Sequence, residues 1–144
     1  PRIKEAVRGQ GLTPGTQDYR DFFRNAQTVV DAGDPINYAA QAATKHAIHM
    51  IEVVGGSGSY PDQVIPNSAT DILQRTMGLT RITGTTNNTN GIEGLVQFTA
   101  GDHRSLLDGS TSQNATTEMQ SEMAYFAGSA GTYLPIYDGS VVKQ

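Results

Sequence analysis

The chain contains no cysteine, so disulfide bonds, thiolate catalysis and cysteine-ligated zinc are all excluded. It also lacks any run of lysine and arginine, and its 10 basic and 14 acidic residues give a formal net charge of −4. Binding to nucleic acid or to an anionic membrane is therefore not expected. No apolar stretch approaches the ~20 residues of a membrane span. We expect no transmembrane segment, no metal and no cofactor.

The N-terminus gives no localisation signal of its own. No signal peptide is recognisable from Pro1 onward. A start without methionine is expected of a processed chain or of a fragment cut from a longer protein. A secreted bacterial protein can lack disulfides, so the absence of cysteine leaves the compartment open.

The length of 144 residues suits a single domain with a real hydrophobic core. Its first part, residues 1–46, is predicted to be helical. Apolar side chains recur at helical spacing over residues 16–31, and Thr16 is placed to act as the N-cap. A second short helix is predicted over residues 35–44, with Asp34 before it as N-cap.

The next part, residues 47–128, alternates strand and helix twice. Residues 47–54 carry apolar side chains on both faces, which is typical of a parallel strand covered on both sides. The order predicts an α/β fold with a short, mostly parallel sheet of two or three strands and flanking helices. The predicted elements are strand 47–54, helix 68–77 with Ser68 as its N-cap, strand 95–100, and helix 114–127 with an inner face of Ala115, Met119, Met123 and Phe126.

Two segments are predicted to lack regular structure. Residues 80–94 contain a tract of threonine, asparagine and glycine at 85–91, which predicts an exposed and mobile loop. The tail, residues 129–144, is predicted to be irregular, with residues 133–137 packing on the body of the domain.

Two residues that can carry chemistry follow the two predicted strands. Asp62 lies in the loop after the first strand, and His103 lies in the loop after the second. Because the carboxyl ends of adjacent parallel strands meet at one edge of a sheet, we expect these two side chains to face each other. A carboxylate that holds one imidazole nitrogen leaves the other free to act as a base. Taken singly, a loop aspartate is usually a turn former and a loop histidine usually has no special role.

Four segments of the chain resemble the C-terminal region of bacterial extracellular lipases, which belong to the α/β-hydrolase superfamily. The resemblance covers roughly residues 11–126, and it implies that Asp62 is the acid and His103 the base of a catalytic triad. It also implies a secreted or cell-envelope-associated protein. The segments are Asp34-Pro35-Ile36-Asn37-Tyr38-Ala39, Ile48-His49-Met50-Ile51-Glu52-Val53-Val54-Gly55, Pro61-Asp62-Gln63-Val64-Ile65-Pro66-Asn67-Ser68, and Phe98-Thr99-Ala100-Gly101-Asp102-His103-Arg104-Ser105-Leu106-Leu107.

The chain departs from this family in having no recognisable nucleophile. The family places its serine in a Gly-x-Ser-x-Gly turn upstream of the acid, and nothing before Asp62 provides one. Residues 55–59 lack the second glycine and follow the acid strand. Residues 127–131 match an Ala-x-Ser-x-Gly variant around Ser129, but they follow a helix and come after His103. The loop that forms the oxyanion hole is also N-terminal in the family and has no counterpart here.

Other polar residues are given structural roles. His46 and His49 are three residues apart, which would suit a metal on a helix, but on a strand they point to opposite faces. Asp102 is the neighbour of His103, and adjacent side chains rarely reach the geometry that a triad requires, so Asp62 is preferred as the partner. Gly55 to Gly58 lack the following helix start and lysine that a phosphate-binding loop needs.

Two functions from different classes are consistent with the sequence. The first is a C-terminal fragment of a lipase or carboxylic ester hydrolase, which acts on a lipid or other ester substrate in the full-length protein and is inactive alone. The second is a small non-catalytic α/β module, used for binding or structure, in which Asp62 and His103 are incidental. A Gly-x-Ser-x-Gly motif encoded upstream in the natural gene would favour the first.

We predict that this chain forms a homo-oligomer. Strand 47–54 is apolar on both faces, which is typical of a strand that is covered and paired, and an unpaired apolar edge is a template for pairing with another chain. Residues 16–31, with Tyr19, Phe22 and Phe23, are the element we expect to exchange between copies. Light scattering at micromolar concentration should report a dimer or larger species. A stable monomer would contradict this prediction.

Overall fold

The computed structural model describes residues 2–56 and 58–144, so Pro1 and Ser57 lie outside the described residues. Its contacts divide the chain into two compact units, Pro1–Asn37 and Tyr38–Gln144. No helix in the described part is long and apolar enough to cross a membrane. The elements in chain order are α1 (Arg2–Gly9), α2 (Gln17–Val30), a 3-10 turn (Asp31–Gly33), α3 (Ile36–Ala43), β1 (Ile48–Val53), α4 (Asn67–Met77), β2 (Thr80–Arg81), β3 (Thr86–Asn87), β4 (Glu93–Phe98), α5 (Gln113–Gly128) and β5 (Tyr133–Leu134).

The helices of the first unit begin where the sequence predicts. Thr16 is the N-cap of α2, and its side-chain oxygen accepts a hydrogen bond from the backbone N–H of Tyr19. Asp34 acts in the same way before α3, because its carboxylate accepts from the N–H of Ile36 at 3.0 Å. Such bonds satisfy backbone donors that have no partner inside the helix. Along α2, the rings of Tyr19 and Phe23 contact each other in a tilted arrangement, with their centroids 4.8 Å apart.

The second unit is built on a three-stranded sheet in the order β1-β4-β2. β1 and β4 are parallel over their full length, from Ile48 opposite Glu93 to Val53 opposite Phe98. β2 pairs in parallel with the other side of β4. Within the described residues β1 therefore has one strand partner and forms an edge of this sheet.

Side chains of β1 show that the sheet is covered on both faces. His49 reaches α5, where its Nε2 lies 2.9 Å from Oε2 of Glu122. Glu52 reaches α4, where it accepts a hydrogen bond from the side-chain amide of Asn67 at 2.7 Å. Residues three apart on a strand point to opposite faces, so α4 and α5 lie on opposite sides of the sheet. The predicted mixed α/β fold with a short parallel sheet is confirmed.

The core of the second unit lies mainly where the sheet meets α5 and the tail. Phe98 and Val96 of β4 are fully buried, and Met119 of α5 and Leu134 of β5 pack in the same cluster. Val142 also belongs to it and forms an isolated bridge to Phe98. The tail is therefore an integral part of the core, and the predicted packing of residues 133–137 is confirmed at Leu134. The prediction that the tail is irregular is wrong at Tyr133–Leu134, which form β5.

The prediction of an unstructured loop over residues 80–94 is wrong in part. Thr80 and Arg81 form β2, and Thr86 and Asn87 form β3, which pairs antiparallel with β5. The local sequence is rich in turn-forming residues, but these two-residue strands are stabilised by partners that lie far away in the chain. The remaining part, around Asn88 to Gly91, is a turn closed by hydrogen bonds of the Asn88 side chain.

Two details of the predicted helices are also corrected. Helix α4 begins at Asn67, with Pro66 in the N-cap position, so Ser68 lies inside the first turn and does not cap it. On α5 Met123 is 45 % exposed and is not part of the inner face. That face instead buries two acids, Glu118 and Glu122, because each has a partner that compensates for its burial.

The partner of Glu122 is His49. The side chains of this pair are 0 % and 3 % exposed, respectively. The contact has the distance of an ion pair but not the alignment of a hydrogen bond, and Oε1 of Glu122 has no donor among the described residues. Burial raises the pKa of Glu122, and the neighbouring His49 offsets this only in part. His49 is thus structural, as the sequence predicts, and it joins β1 to α5.

We predict that Glu122 makes folding less favourable as the pH rises. A pKa raised in the folded state means that the folded protein binds this proton more tightly than the unfolded chain does. Its contribution to stability is complete below the unfolded value and is lost as the pH rises through the folded one. The variant Glu122→Gln should therefore show a smaller loss of unfolding free energy between about pH 4 and about pH 7 in urea titrations.

Glu93→Gln, at the exposed start of β4, is the control because it removes the same charge. If both variants change the pH dependence equally, the effect comes from net charge and not from the burial of Glu122.

Candidate functional site

Asp62 is held in place by the loop that leaves β1. Its backbone N–H donates to the carbonyl of Val53 at 3.0 Å, which brings the chain back to the end of the strand. One carboxylate oxygen, Oδ1, accepts from the N–H groups of Val64 at 2.7 Å and Ile65 at 3.1 Å. The loop closes tightly at Gly55, where φ is +71° and a Cβ atom would lie 2.6 Å from the carbonyl carbon of Tyr60. Only glycine fits there.

His103 lies in the loop after β4 and meets Asp62. Its Nδ1 is 2.8 Å from Oδ2 of Asp62. The strands that precede the two residues are neighbours and parallel, so both loops leave the same edge of the sheet. The predicted juxtaposition of Asp62 and His103 is therefore observed, while the catalytic role of each stays a prediction.

A hydrogen bond ties the two loops to each other. The hydroxyl of Ser59, in the Asp62 loop, donates to the carbonyl of Gly101, in the His103 loop, at 3.1 Å. This contact is not predictable from the sequence, because a serine in a glycine-rich turn has many possible partners. It fixes the relative position of the loops independently of Asp62 and His103.

The two oxygens of Asp62 have different partners, and both kinds favour its charged form. Partial burial acts to raise the pKa of Asp62, but the hydrogen bonds from His103, Val64 and Ile65, with the charge of His103, bring it below its usual value. The imidazole of His103 is 44 % exposed. Its second nitrogen, Nε2, has no hydrogen-bond partner among the described residues. This arrangement can hold a proton on Nδ1 and leave Nε2 as an accessible base.

A cleft of about 250 Å³ lies beside the pair. Ile51 and Val53 line it from the α5 face of β1, and Glu52 lines it from the α4 face. Since both faces of one strand contribute, the cleft runs around the unpaired edge of β1 at its carboxyl end. The full lining is Ile51, Glu52, Val53, Asp62, Ile65, Asn67, Thr70, Asp102, His103, Leu106 and Met119.

A buried carboxylate in this cleft was not identified from the sequence. Glu52 is 4 % exposed, and it accepts hydrogen bonds from the side-chain amides of Asn67 and Gln97, each at 2.7 Å. Asn67 also donates to the carbonyl of Val53. Glu52 thereby anchors the start of α4 to the end of β1. The only sequence signal was an acid inside an otherwise apolar strand.

Ser129, in the Ala-x-Ser-x-Gly turn, does not supply a nucleophile at the pair. Ser129 accepts from the N–H of Tyr133 and bonds the carbonyl of Phe126, so it caps the far end of α5. His103 precedes the near end of this helix, which is 16 residues long and so extends about 24 Å. Ser57, in the other serine-containing turn, falls outside the described residues.

Asp102 and His46, the other residues considered from the sequence, do not take part in the pair. Asp102 uses its oxygens on its own loop and does not contact the ring of His103. His46 is exposed after α3. Within residues 2–56 and 58–144, no cluster of three or more histidines and acids could hold a metal ion.

No model of a known protein family, no curated protein and no solved structure matches this chain. Any role for the pair therefore has to be argued from its geometry and from the motifs that contain it.

We predict that Asp62 stabilises the fold at neutral pH and loses this effect in acid. Its lowered pKa means that the unfolded chain binds the proton more tightly. The contribution is present above the ordinary value of aspartate, near ~3.9, and disappears as the pH falls through the folded-state value. Acid unfolding of Asp62→Asn, followed by circular dichroism, should be less steep below about pH 4 than that of the wild type.

The matched control is Asp71→Asn on α4, for which the wild-type slope is expected. An unchanged slope in Asp62→Asn would show that the contacts of this carboxylate do not favour its charged form.

Proposed function

We propose that this chain is the C-terminal part of a serine ester hydrolase of the α/β-hydrolase type, in which Asp62 is the triad acid and His103 the triad base. The nucleophilic serine and the oxyanion donors would come from a part of the protein upstream of this chain. The observation that carries the proposal is the 2.8 Å contact between Nδ1 of His103 and Oδ2 of Asp62. The lipase-like segments around both residues support it.

In this proposal the pair transfers one proton in each of the two half-reactions, acylation and deacylation. Nε2 of His103 takes the proton of the serine hydroxyl as its oxygen attacks the ester carbonyl, and the proton then passes to the departing alkoxide. Water next attacks the acyl-serine while Nε2 takes one of its protons, and Nε2 then gives this proton to the serine oxygen as the acyl–oxygen bond breaks and the carboxylic acid leaves. Asp62 holds the ring through Nδ1–H and stabilises the positive charge that the ring carries between the two transfers.

The free edge of β1 supports an upstream part of this kind. β1 has helices on both faces and a strand on one side, and the cleft beside Asp62 and His103 opens around its other side. A further strand on that side would extend the sheet beside this cleft. In its absence the same edge is open to a second copy, which is the basis for proposing that the isolated chain self-associates.

The alternative, a non-catalytic α/β module, is favoured by one observation. Among the described residues Nε2 of His103 has no serine hydroxyl to activate, and the nearby Ser59 and Ser105 use their hydroxyls to hold backbone groups. Under that alternative the pair is a structural hydrogen bond between two loops.

For the hydrolase we further propose a lipid or other ester as substrate and a secreted or envelope-associated location.

We predict that this chain alone does not hydrolyse a short-chain chromogenic ester above background, because it lacks a nucleophile and oxyanion donors. The longer natural protein, with a Gly-x-Ser-x-Gly turn upstream, should hydrolyse it. In that protein Asp62→Asn should lower kcat about 10⁴-fold and His103→Ala about 10⁶-fold. Asp71→Asn is the control and should retain wild-type kcat.

Two outcomes would count against the proposal. A gene without an upstream Gly-x-Ser-x-Gly turn would favour the non-catalytic module. Robust turnover by this chain alone that disappears in His103→Ala would place the nucleophile within it, with Ser129 to be tested first.

A further inference from the structure

The loop that carries His103 is folded around the side chain of Asp102. Oδ1 of Asp102 accepts from the N–H of Arg104 at 2.8 Å and from the hydroxyl of Ser105 at 3.2 Å. Oδ2 accepts from the hydroxyl of Thr111 at 2.8 Å. The carboxylate, which precedes His103 in sequence, thus binds two residues that closely follow His103 and a third further along the loop.

Ser105 forms two hydrogen bonds with Asp102. Its hydroxyl oxygen accepts from the N–H of Asp102 at 2.7 Å while the hydroxyl donates to the carboxylate of the same residue. Ser105 is 0 % exposed, and its carbonyl accepts from the hydroxyl of Thr116 on α5. Asp102 and Ser105, which lie before and after His103 in sequence, are therefore hydrogen-bonded to each other, and Ser105 is also bonded to α5.

Gly101 is adapted to the same contact. Its φ is +110°, and a Cβ atom there would lie 2.8 Å from the hydroxyl oxygen of Ser105. A side chain at this position would be strained and would push Ser105 away. The close approach between the end of β4 and Ser105 therefore requires glycine.

We infer that Asp102 and Ser105 are positioning residues that fix the backbone at His103, so that Nδ1 faces Asp62 and Nε2 stays free. The catalytic meaning of this inference rests on the proposed function, but the geometric claim does not. Asp102 is not a second candidate for the triad acid, because its oxygens are engaged by Arg104, Ser105 and Thr111. The hydrogen bonds from Thr111 and from the Arg104 backbone lower the pKa of Asp102, so it is charged whenever the pair would act.

The tautomer of His103 tests the inference directly. A neutral imidazole bonded to Asp62 carries its proton on Nδ1, and the ¹⁵N shifts of the ring report which nitrogen is protonated. We would record ¹H–¹⁵N spectra of the labelled chain at a pH where the ring is neutral. The variants are Ser105→Ala and Asp102→Ala. The first changes no charge, and the second truncates a side chain that is partly exposed, so the fold is expected to tolerate it.

Two further variants calibrate the measurement. Asp62→Ala removes the partner of Nδ1 and gives the tautomer ratio of an unpaired ring. Asp108→Ala removes one negative charge from the same loop, where the Asp108 carboxylate accepts from the N–H of Ser110. Like Asp102, Asp108 forms an ion pair with the exposed side chain of Arg104, but it does not accept the hydrogen bonds from the Arg104 N–H and the Ser105 hydroxyl that Asp102 accepts. It is the charge-matched control for Asp102→Ala.

The expected result is a wild-type ring protonated on Nδ1, with Ser105→Ala and Asp102→Ala shifted most of the way to the Asp62→Ala ratio. Asp108→Ala should match the wild type. In an Asp62→Ala background Ser105→Ala should add nothing, because it acts through the pairing with Asp62.

The inference is overturned if Asp102→Ala keeps the wild-type ratio, or if Asp108→Ala shifts it equally. Should Ser105→Ala fail to fold, Asp102→Ala against Asp108→Ala still decides the matter. A wild-type ring without the Nδ1 proton would instead contradict the Asp62 pairing and the proposed function with it. The two failures are therefore distinguishable.

Discussion

The parallel pairing of β1 with β4 is the constraint on which the rest of the site depends. In register from Ile48 opposite Glu93 to Val53 opposite Phe98, the two strands end at the same level. The loops that follow them start side by side, and a carboxylate from one reaches an imidazole from the other. A shift of the register by one residue would turn His49 away from Glu122 and Glu52 away from Asn67, so these buried contacts oppose such a slip.

The two loops are rigid for reasons that lie in short-range chemistry. Asp62 satisfies two backbone donors of its own loop and also contacts His103, and Asp102 accepts from one backbone N–H and two hydroxyl groups of the other loop. Each carboxylate thus has a structural role. Aspartates in turns usually have this role alone, and Asp62 combines it with a second oxygen directed at an imidazole. Because Oδ1 of Asp62 is hydrogen-bonded to the backbone, the carboxylate is held in one orientation, and in that orientation Oδ2 points to His103.

The sequence predicted much of this arrangement because its signals were local. Thr16 and Asp34 set helix boundaries through their own side-chain chemistry, and the order of strand and helix placed Asp62 beside His103. The features that were missed are non-local. β3 exists because β5 pairs with it from the tail, and Glu118 and Glu122 are buried because Tyr137, Asp138 and His49 compensate them. A pattern within one helix or one loop contains no information on such partners.

The hydrogen bond from Asp62 N–H to the carbonyl of Val53 has a consequence for any strand that joins the free edge of β1. Ile48 and Val54 direct their N–H groups to β4, so the alternate residues His49, Ile51 and Val53 direct their backbone groups to the open side. Of these, the Val53 carbonyl is already occupied. An added strand can therefore run along His49 and Ile51 and must leave the sheet at the level of Asp62. Asp62 thus limits how far a strand paired with this edge can extend toward the carboxyl end of β1.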